Sequence, residues 1–134
     1  MRREPDEARV LMRTLAVIAI VAVTWPAGAE ERPCQQAQDT PDFARCWHEQ
    51  VQKSEADVLQ KLRALIERHR KDEPELANLL AKSQLAWFVW REATCHVETY
   101  DSRNGTGFNV YWDMCLHRMN EARAAELQHR LDHP

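Results

Sequence analysis

Apolar residues in the central part of the chain recur at the three- and four-residue spacing of a helix with one buried face. The first such segment begins near Asp42, after Thr40-Pro41, with Thr40 as a candidate N-cap, and fades at His69-Arg70-Lys71. Its apolar positions are Phe43, Trp47, Val51, Val58, Leu62, Leu65 and Ile66. Because no segment alternates with a period of two, the pattern predicts no sheet.

Two further helices follow. Pro74 opens the second, whose apolar positions are predicted to share a broad buried face up to Thr99: Leu76, Leu79, Leu80, Trp87, Trp90 and Val97. The third is predicted from about Val110 to Leu131, and Tyr111 and Trp112 near its start are predicted to be exposed. The pattern therefore predicts an all-α fold: an antiparallel three-helix bundle with an extended N-terminal arm, stapled by two disulfides.

The N-terminal segment has the features of a cleavable export signal. A short apolar run, Leu15–Trp25, is followed by Ala27-Gly28-Ala29, which fits a signal-peptidase site. The run falls short of the ~20 apolar residues that span a bilayer. We therefore assign residues 1–29 as a signal peptide, with translation starting at Met1 or Met12, and residues 30–134 as one helical domain. The product is predicted to be periplasmic or secreted. Because no cysteine lies at the cleavage site, we do not predict a lipid anchor.

All four cysteines follow this signal, at Cys34, Cys46, Cys95 and Cys115. An even number in an exported chain predicts disulfides. We prefer Cys34–Cys46 with Cys95–Cys115, since each pair joins sequence neighbours across a short loop. The pairing Cys46–Cys95 with Cys34–Cys115 stays open, because longer loops stabilise slightly more in the chain-entropy model. Antiparallel helices bring all four cysteines to one end of the bundle.

Composition argues against several classes of function. The formal net charge is −3, which does not favour nucleic acid as a partner. Cysteines engaged in disulfides do not ligate metals or act as nucleophiles, so Cys46, Cys95 and Cys115 beside His48, His96 and His117 are not assigned as a metal site. Without a G-x-S-x-G motif or a reduced cysteine beside a base, we predict no enzyme activity, no catalytic residue and no cofactor.

Two motifs in the second and third helices resemble those of a known family. Gln84, Trp87, Arg91, Glu92 and Cys95 fit Q-x-x-W-x-x-x-R-(D/E)-x-x-C, and the last helix fits C-x7-R-x3-L with Cys115, Arg123 and Leu127. These are similar to motifs of the lysozyme inhibitor LprI-like domain family, and the resemblance covers about Cys34 to Leu131. The chain departs from that family's usual residues at three positions, which are Gln60, Arg63 and Asn120.

The helical spacing places Trp87, Arg91 and Cys95 on one stripe of the second helix. We interpret this stripe as a structural module in which Arg91 pairs with Asp57 or Glu121. The resemblance implies a non-enzymatic protein that binds a protein partner, with lysozyme as one such partner. The candidate contact surface is the polar loop between Cys95 and Cys115, which contains Tyr100, Arg103, Asn104, Gly105, Thr106 and Gly107.

A second function is compatible with the same sequence: a periplasmic accessory or scaffold domain that binds another envelope protein. An exposed apolar patch on the helices, in place of an active loop, would favour it.

Overall fold

The computed structural model describes residues 33–133 as three long helices. Helix α1 spans Thr40–His69, α2 spans Pro74–Glu98 and α3 spans Phe108–Asp132, with a 3-10 turn at Tyr100–Ser102. This confirms the predicted all-α three-helix bundle, and within the described residues there is no strand. The predicted signal peptide and both candidate start codons lie outside the described residues.

Local sequence explains where the helices begin. The side chain of Asp39, not Thr40, caps α1 by accepting a 2.8 Å hydrogen bond from the backbone N–H of Asp42. Pro41 lies in the first turn, where its missing N–H costs nothing. Pro74 does the same for α2. The third helix begins at Phe108, two residues before the predicted start.

The chain runs up, down and up, so that α1 and α3 are parallel neighbours with α2 antiparallel to both. Near the starts of α1 and α3, Trp47 packs edge-on against His117 at 5.6 Å between ring centroids. Near their ends, Arg68 of α1 donates from Nη2 to the carbonyl oxygen of Leu131 at 2.9 Å. This bond satisfies a carbonyl of the last turn of α3, where a cation is also favoured by the helix dipole.

The core consists of two apolar clusters along the α1–α3 interface. One contains Val51, Cys95, Cys115, Leu116 and Met119, with Trp87 and Trp112 packed against it. The other lies toward the opposite end and contains Val58, Leu62, Leu65, Ala124 and Leu127. The predicted apolar face of α1 is therefore confirmed, since Trp47, Val51, Val58, Leu62 and Leu65 are all buried.

The predicted buried face of α2 is wrong for most of its members. Leu76, Leu79, Trp90 and Val97 are 37%, 53%, 57% and 79% exposed. The face that α2 turns toward the bundle instead carries Ala77, Gln84, Arg91 and Cys95. Apolar spacing located the most hydrophobic face, but polar residues can be buried where neighbouring helices supply hydrogen-bond partners.

Both disulfides lie at one end of the bundle. The bonds are Cys34–Cys46 and Cys95–Cys115, the pairing preferred from the sequence. The short arm before α1 turns at Cys34, whose φ of 67° is in the left-handed region. We call this end, with residues 99–107, the disulfide end.

Candidate functional site

The motif residues of α2 build a buried polar network between the helices. Arg91 is 5% exposed, and its Nη1 donates to Glu55 Oε2 at 2.9 Å and to Asn120 Oδ1 at 2.7 Å. Its guanidinium carbon also lies 4.9 Å from the ring centroid of Phe88 and 5.4 Å from that of Trp87. One side chain of α2 thus joins α1 to α3 through charge-assisted hydrogen bonds and cation–π contacts.

Asn120 extends the network into α1. It is fully buried, and its Nδ2 donates to Ser54 Oγ at 3.0 Å and, more weakly, to the carbonyl oxygen of Val51 at 3.5 Å. Ser54 donates in turn to the carbonyl oxygen of Val51 at 3.0 Å. The Asn120 amide therefore links α3 to α1 and, through Arg91, to α2.

The carboxylate predicted for Arg91 is wrong. Asp57 pairs with Lys61 on the same helix, and Glu121 lies 3.3 Å from His117 Nε2. Glu55 takes the place of both, because it lies on the face of α1 that α2 approaches. Helical spacing restricts which residues share a face, but it does not determine how two helices rotate against each other. The motif acid Glu92 is peripheral, with Oε1 4.0 Å from Arg91 Nη2.

A second part of the network surrounds Trp87. Gln84 is 2% exposed, and its Oε1 accepts a hydrogen bond from Arg123 Nε at 3.1 Å. The guanidinium carbon of Arg123 lies 5.8 Å from the Trp87 ring centroid, and its Nη1 donates to Glu126 Oε2 at 2.6 Å. The motif residues Gln84, Trp87 and Arg123 therefore support one another, and Leu127 is fully buried one turn further along α3.

Two carboxylates have shifted pKa values. Burial alone would raise the pKa of Glu126, but hydrogen bonds and charge from Arg123 and Arg130 outweigh it and lower the pKa below the ordinary 4.5. Burial raises the pKa of Asp113 above 3.8, and His48 at 3.6 Å offsets only part of that effect. Because the shifts have opposite signs, ionised Glu126 favours the folded state at neutral pH, whereas ionised Asp113 disfavours it there and this penalty is lost as the pH falls.

Glu126→Gln should therefore lower stability at neutral pH and have little effect in acid. The lowered pKa of Glu126 means that its contribution is present above 4.5 and is lost as the pH falls through the folded value. Since the Glu126 side chain is 46% exposed, solvent screens the interaction and we expect a loss below about 1 kcal/mol. Urea unfolding at neutral pH and near pH 3 measures the difference, with Glu49→Gln on the exposed face of α1 as the control. A pH-independent loss would contradict the assignment.

The loop at the disulfide end is exposed but internally hydrogen-bonded. The buried Thr99 donates from Oγ1 to the carbonyl oxygen of Cys95 at 2.7 Å, and Gly105 N–H donates to that of Ser102 at 2.8 Å. Asn104, Gly105 and Thr106 are exposed, whereas Gly107 is half-buried at the start of α3. The loop is thus a sequence of turns tied to both helix ends.

Arg103 folds back over Tyr100 at the tip of this loop. Its guanidinium carbon lies 3.9 Å from the tyrosine ring centroid, and its Nη1 donates to the carbonyl oxygen of Tyr100 at 2.7 Å. Tyr100 is itself 59% exposed. The Arg103 guanidinium is therefore held over the Tyr100 ring at the protein surface.

The neighbouring aromatic residues divide between surface and core. Tyr111 is 56% exposed, as predicted. The predicted exposure of Trp112 is wrong, since it packs on the core with its ring centroid 4.4 Å from that of His96 and 6.0 Å from that of Phe108. The packing of Trp112 against a histidine of the preceding helix is a contact that sequence spacing does not reveal.

Comparison with known proteins supports the family resemblance noted in the sequence. The family model described as Lysozyme inhibitor LprI matches residues 32–127. The chain belongs to the LprI lysozyme inhibitor family. An uncharacterized protein of Rhizobium meliloti (strain 1021) is 22% identical over 129 residues, covering 87% of this chain and 93% of that protein. No solved structure matches the chain. Gln84, Trp87, Arg91, Arg123 and Leu127, which the sequence suggested as family motif residues, lie within the matched range and connect the helices.

The predicted motif residues and the exposed loop form two separate groups. Arg91, Gln84 and Leu127 are buried, and these side chains are not available to a partner without unfolding. The loop residues Tyr100 and Arg103 are exposed at the disulfide end. Sequence spacing found both groups but missed Glu55 and Ser54 as network members. The signal that could have found them is their i, i+3 and i, i+4 spacing from Val51 and Val58 on the buried face of α1.

Proposed function

We propose that this protein is an exported, disulfide-stabilised binding protein that inhibits lysozyme by protein–protein contact through its disulfide end. The observation that carries the proposal is the exposed Tyr100–Arg103 pair on a loop closed by the Cys95–Cys115 bond. The family description supports lysozyme as the partner. The two disulfides support a periplasmic or secreted location. Residues 1–29 are proposed as the signal peptide, and none of the helices in residues 33–133 has the length and hydrophobicity to cross a membrane.

The mechanism requires occupation of the lysozyme cleft and no covalent chemistry. Lysozyme cleaves its polymer with two carboxyl groups that flank the scissile bond. A cation that enters the cleft can pair with them and exclude the substrate. Arg103 has the required charge, and its contacts with Tyr100 hold the guanidinium at the surface before binding. A loop already fixed by turns and a disulfide loses little conformational entropy on binding.

A cell-wall lysis assay tests this function. Purified protein in molar excess is expected to slow lysis by lysozyme, and protein with its disulfides reduced is expected to lose most of that effect. Reduction opens both disulfides, including the Cys95–Cys115 bond that joins the two helix ends carrying the loop, so circular dichroism must show that the reduced protein is still helical. Undiminished lysis with folded, oxidised protein in excess would remove the lysozyme proposal.

A second candidate function is an accessory or scaffold domain that binds another envelope protein. The observation that favours it is the exposed apolar face of α2, with Leu79, Trp90 and Val97 each more than half exposed. Such a protein would bind through its helices and would not need the loop. What covers this face decides between the two functions.

A further inference from the structure

The exposed face of α2 carries a regular stripe. Its members are spaced alternately three and four residues apart, in the order Leu76, Leu79, Ser83, Ala86, Trp90, Ala93 and Val97. All seven are exposed. We call these residues the α2 stripe. It extends over ~32 Å at the 1.5 Å rise of a helix. A spacing of 3.5 residues on average is that of a helix that packs against a second helix along its whole length.

An apolar stripe of this length is unusual on the surface of a lone domain. Contiguous exposed apolar surface on soluble proteins generally marks a contact site. The stripe lies on α2 away from the buried face that carries Gln84 and Arg91. A helix can therefore approach it without displacing the core of the bundle.

We propose that the α2 stripe pairs with the same stripe of a second copy of this chain, in antiparallel orientation about a two-fold axis at Ala86. An antiparallel overlay matches residues whose numbers sum to about 172 or 173. It sets Trp90 against Ser83 of the second copy and Leu79 against its Ala93. Ala86 then meets its own equivalent, and Leu76 meets Val97. Each bulky residue in the middle of the stripe faces a small one, which is the size complementarity that close helix packing needs.

The parallel overlay lacks this complementarity. It would place Trp90 against Trp90 and Leu79 against Leu79, while Ser83 and Ala86 would face their own small equivalents. Bulky pairs would hold the helices apart and leave gaps beside the small pairs, and unfilled gaps cost packing energy. The order of large and small residues therefore favours the antiparallel dimer, and a two-fold axis makes both contact surfaces identical.

Charges beside the stripe are compatible with a second copy as the partner. On the flank of the stripe, where the numbers of facing residues sum to about 171, Glu75 would lie beside His96 of the second copy and Lys82 beside its Val89, so that like charges do not meet on this flank. On the other side, Arg123 and Arg130 are both paired with Glu126 in the monomer. Neither arginine therefore needs an acidic group from another protein as its partner. The proposal is independent of the disulfide end, and it would account for the α2 surface without the scaffold function.

Sedimentation velocity tests the dimer. It is measured on the full chain after removal of the proposed signal peptide, at protein concentrations from about 1 μM to about 1 mM. The wild-type protein is expected to pass from monomer to dimer within this range. Leu79→Glu is expected to weaken dimerisation about 100-fold or more, because each dimer contains the substitution twice. Leu85→Glu is the matched control: it is the same change at a 68% exposed leucine of the same helix outside the stripe, and it should leave the dimer intact.

Single cysteine substitutions test the orientation. Ala86→Cys is expected to form a cross-linked dimer under mild oxidation, because both copies of residue 86 lie at the two-fold axis. Val97→Cys is expected not to cross-link, since the two copies would be ~32 Å apart in the antiparallel dimer. Cross-linking of Val97→Cys would overturn the antiparallel register. If the wild-type protein stays monomeric over the whole concentration range, the dimer is overturned and a different protein is favoured as the partner of the α2 stripe.

Discussion

Replacement of Arg91 by alanine is expected to destabilise the protein by about 3 kcal/mol. The change removes a buried side chain, leaves a cavity beside Trp87 and leaves Asn120 Oδ1 without the 2.7 Å hydrogen bond that it accepts. Glu55 is 39% exposed, so its carboxylate can recover water and adds little to the loss. Urea unfolding followed by circular dichroism measures the free energy of unfolding.

Two further variants separate the network from a general loss of charge. Arg118→Ala removes an arginine whose partner Glu98 lies on the surface, with side chains 60% and 50% exposed, and should cost under about 1 kcal/mol. Arg91→Met with Asn120→Leu replaces the buried polar pair by apolar groups of similar size and should recover much of the stability. If Arg91→Ala and Arg118→Ala were equally mild, the buried network would not hold the helices together.

Removal of the Cys95–Cys115 disulfide should have the largest effect on the disulfide end. Both cysteines belong to the apolar cluster and are 0% and 2% exposed, so Cys95→Ala with Cys115→Ala loses a cross-link and buried volume together. A cross-link across 20 residues contributes roughly 3 kcal/mol in the chain-entropy model. With the volume lost from the cluster, we expect a decrease of about 4 kcal/mol in the free energy of unfolding.

The other disulfide provides the matched comparison. Cys34–Cys46 spans 12 residues, against 20 for Cys95–Cys115, and ties down only the short arm before α1, where Cys34 and Cys46 are partly exposed. Without this bond the arm can detach while the bundle stays folded. We therefore expect Cys34→Ala with Cys46→Ala to cost less than half as much in urea unfolding. Equal losses for the two pairs would contradict the different roles assigned to them.

The sequence was sufficient for the helices and for the convergence of the cysteines. Pro41, Pro74 and the apolar spacing of α1 act locally, and local effects can be recognised without a structure. It was insufficient for the face of α2 that meets the bundle. Leu79 and Trp90 look like core residues, yet Gln84 and Arg91 are buried in their place because α1 and α3 supply Glu55, Asn120 and Arg123 as partners.

Local effects also made one part of the site predictable from the sequence. The spacing of Trp87, Arg91 and Cys95 places them on one stripe of a helix whatever surrounds it. Which carboxylate Arg91 reaches depends on the rotation of α1 against α2, and this is set by the packing of Val51, Val58 and Leu62 against α3. The Arg103–Tyr100 contact likewise arises from a 3-10 turn that has no apolar periodicity.

Inhibition of cell-wall lysis by a pair of arginine variants tests the central claim, that the disulfide end is the surface that contacts lysozyme. Arg103→Ala removes the cation at the loop tip, and Arg70→Ala removes an arginine that is 71% exposed at the opposite end of the bundle. Both should fold with wild-type stability, since neither side chain is buried. We expect Arg103→Ala to inhibit at least about 10-fold more weakly, a loss of about 1.4 kcal/mol in binding, and Arg70→Ala to inhibit as the wild type does. Equal inhibition by the two variants would contradict it.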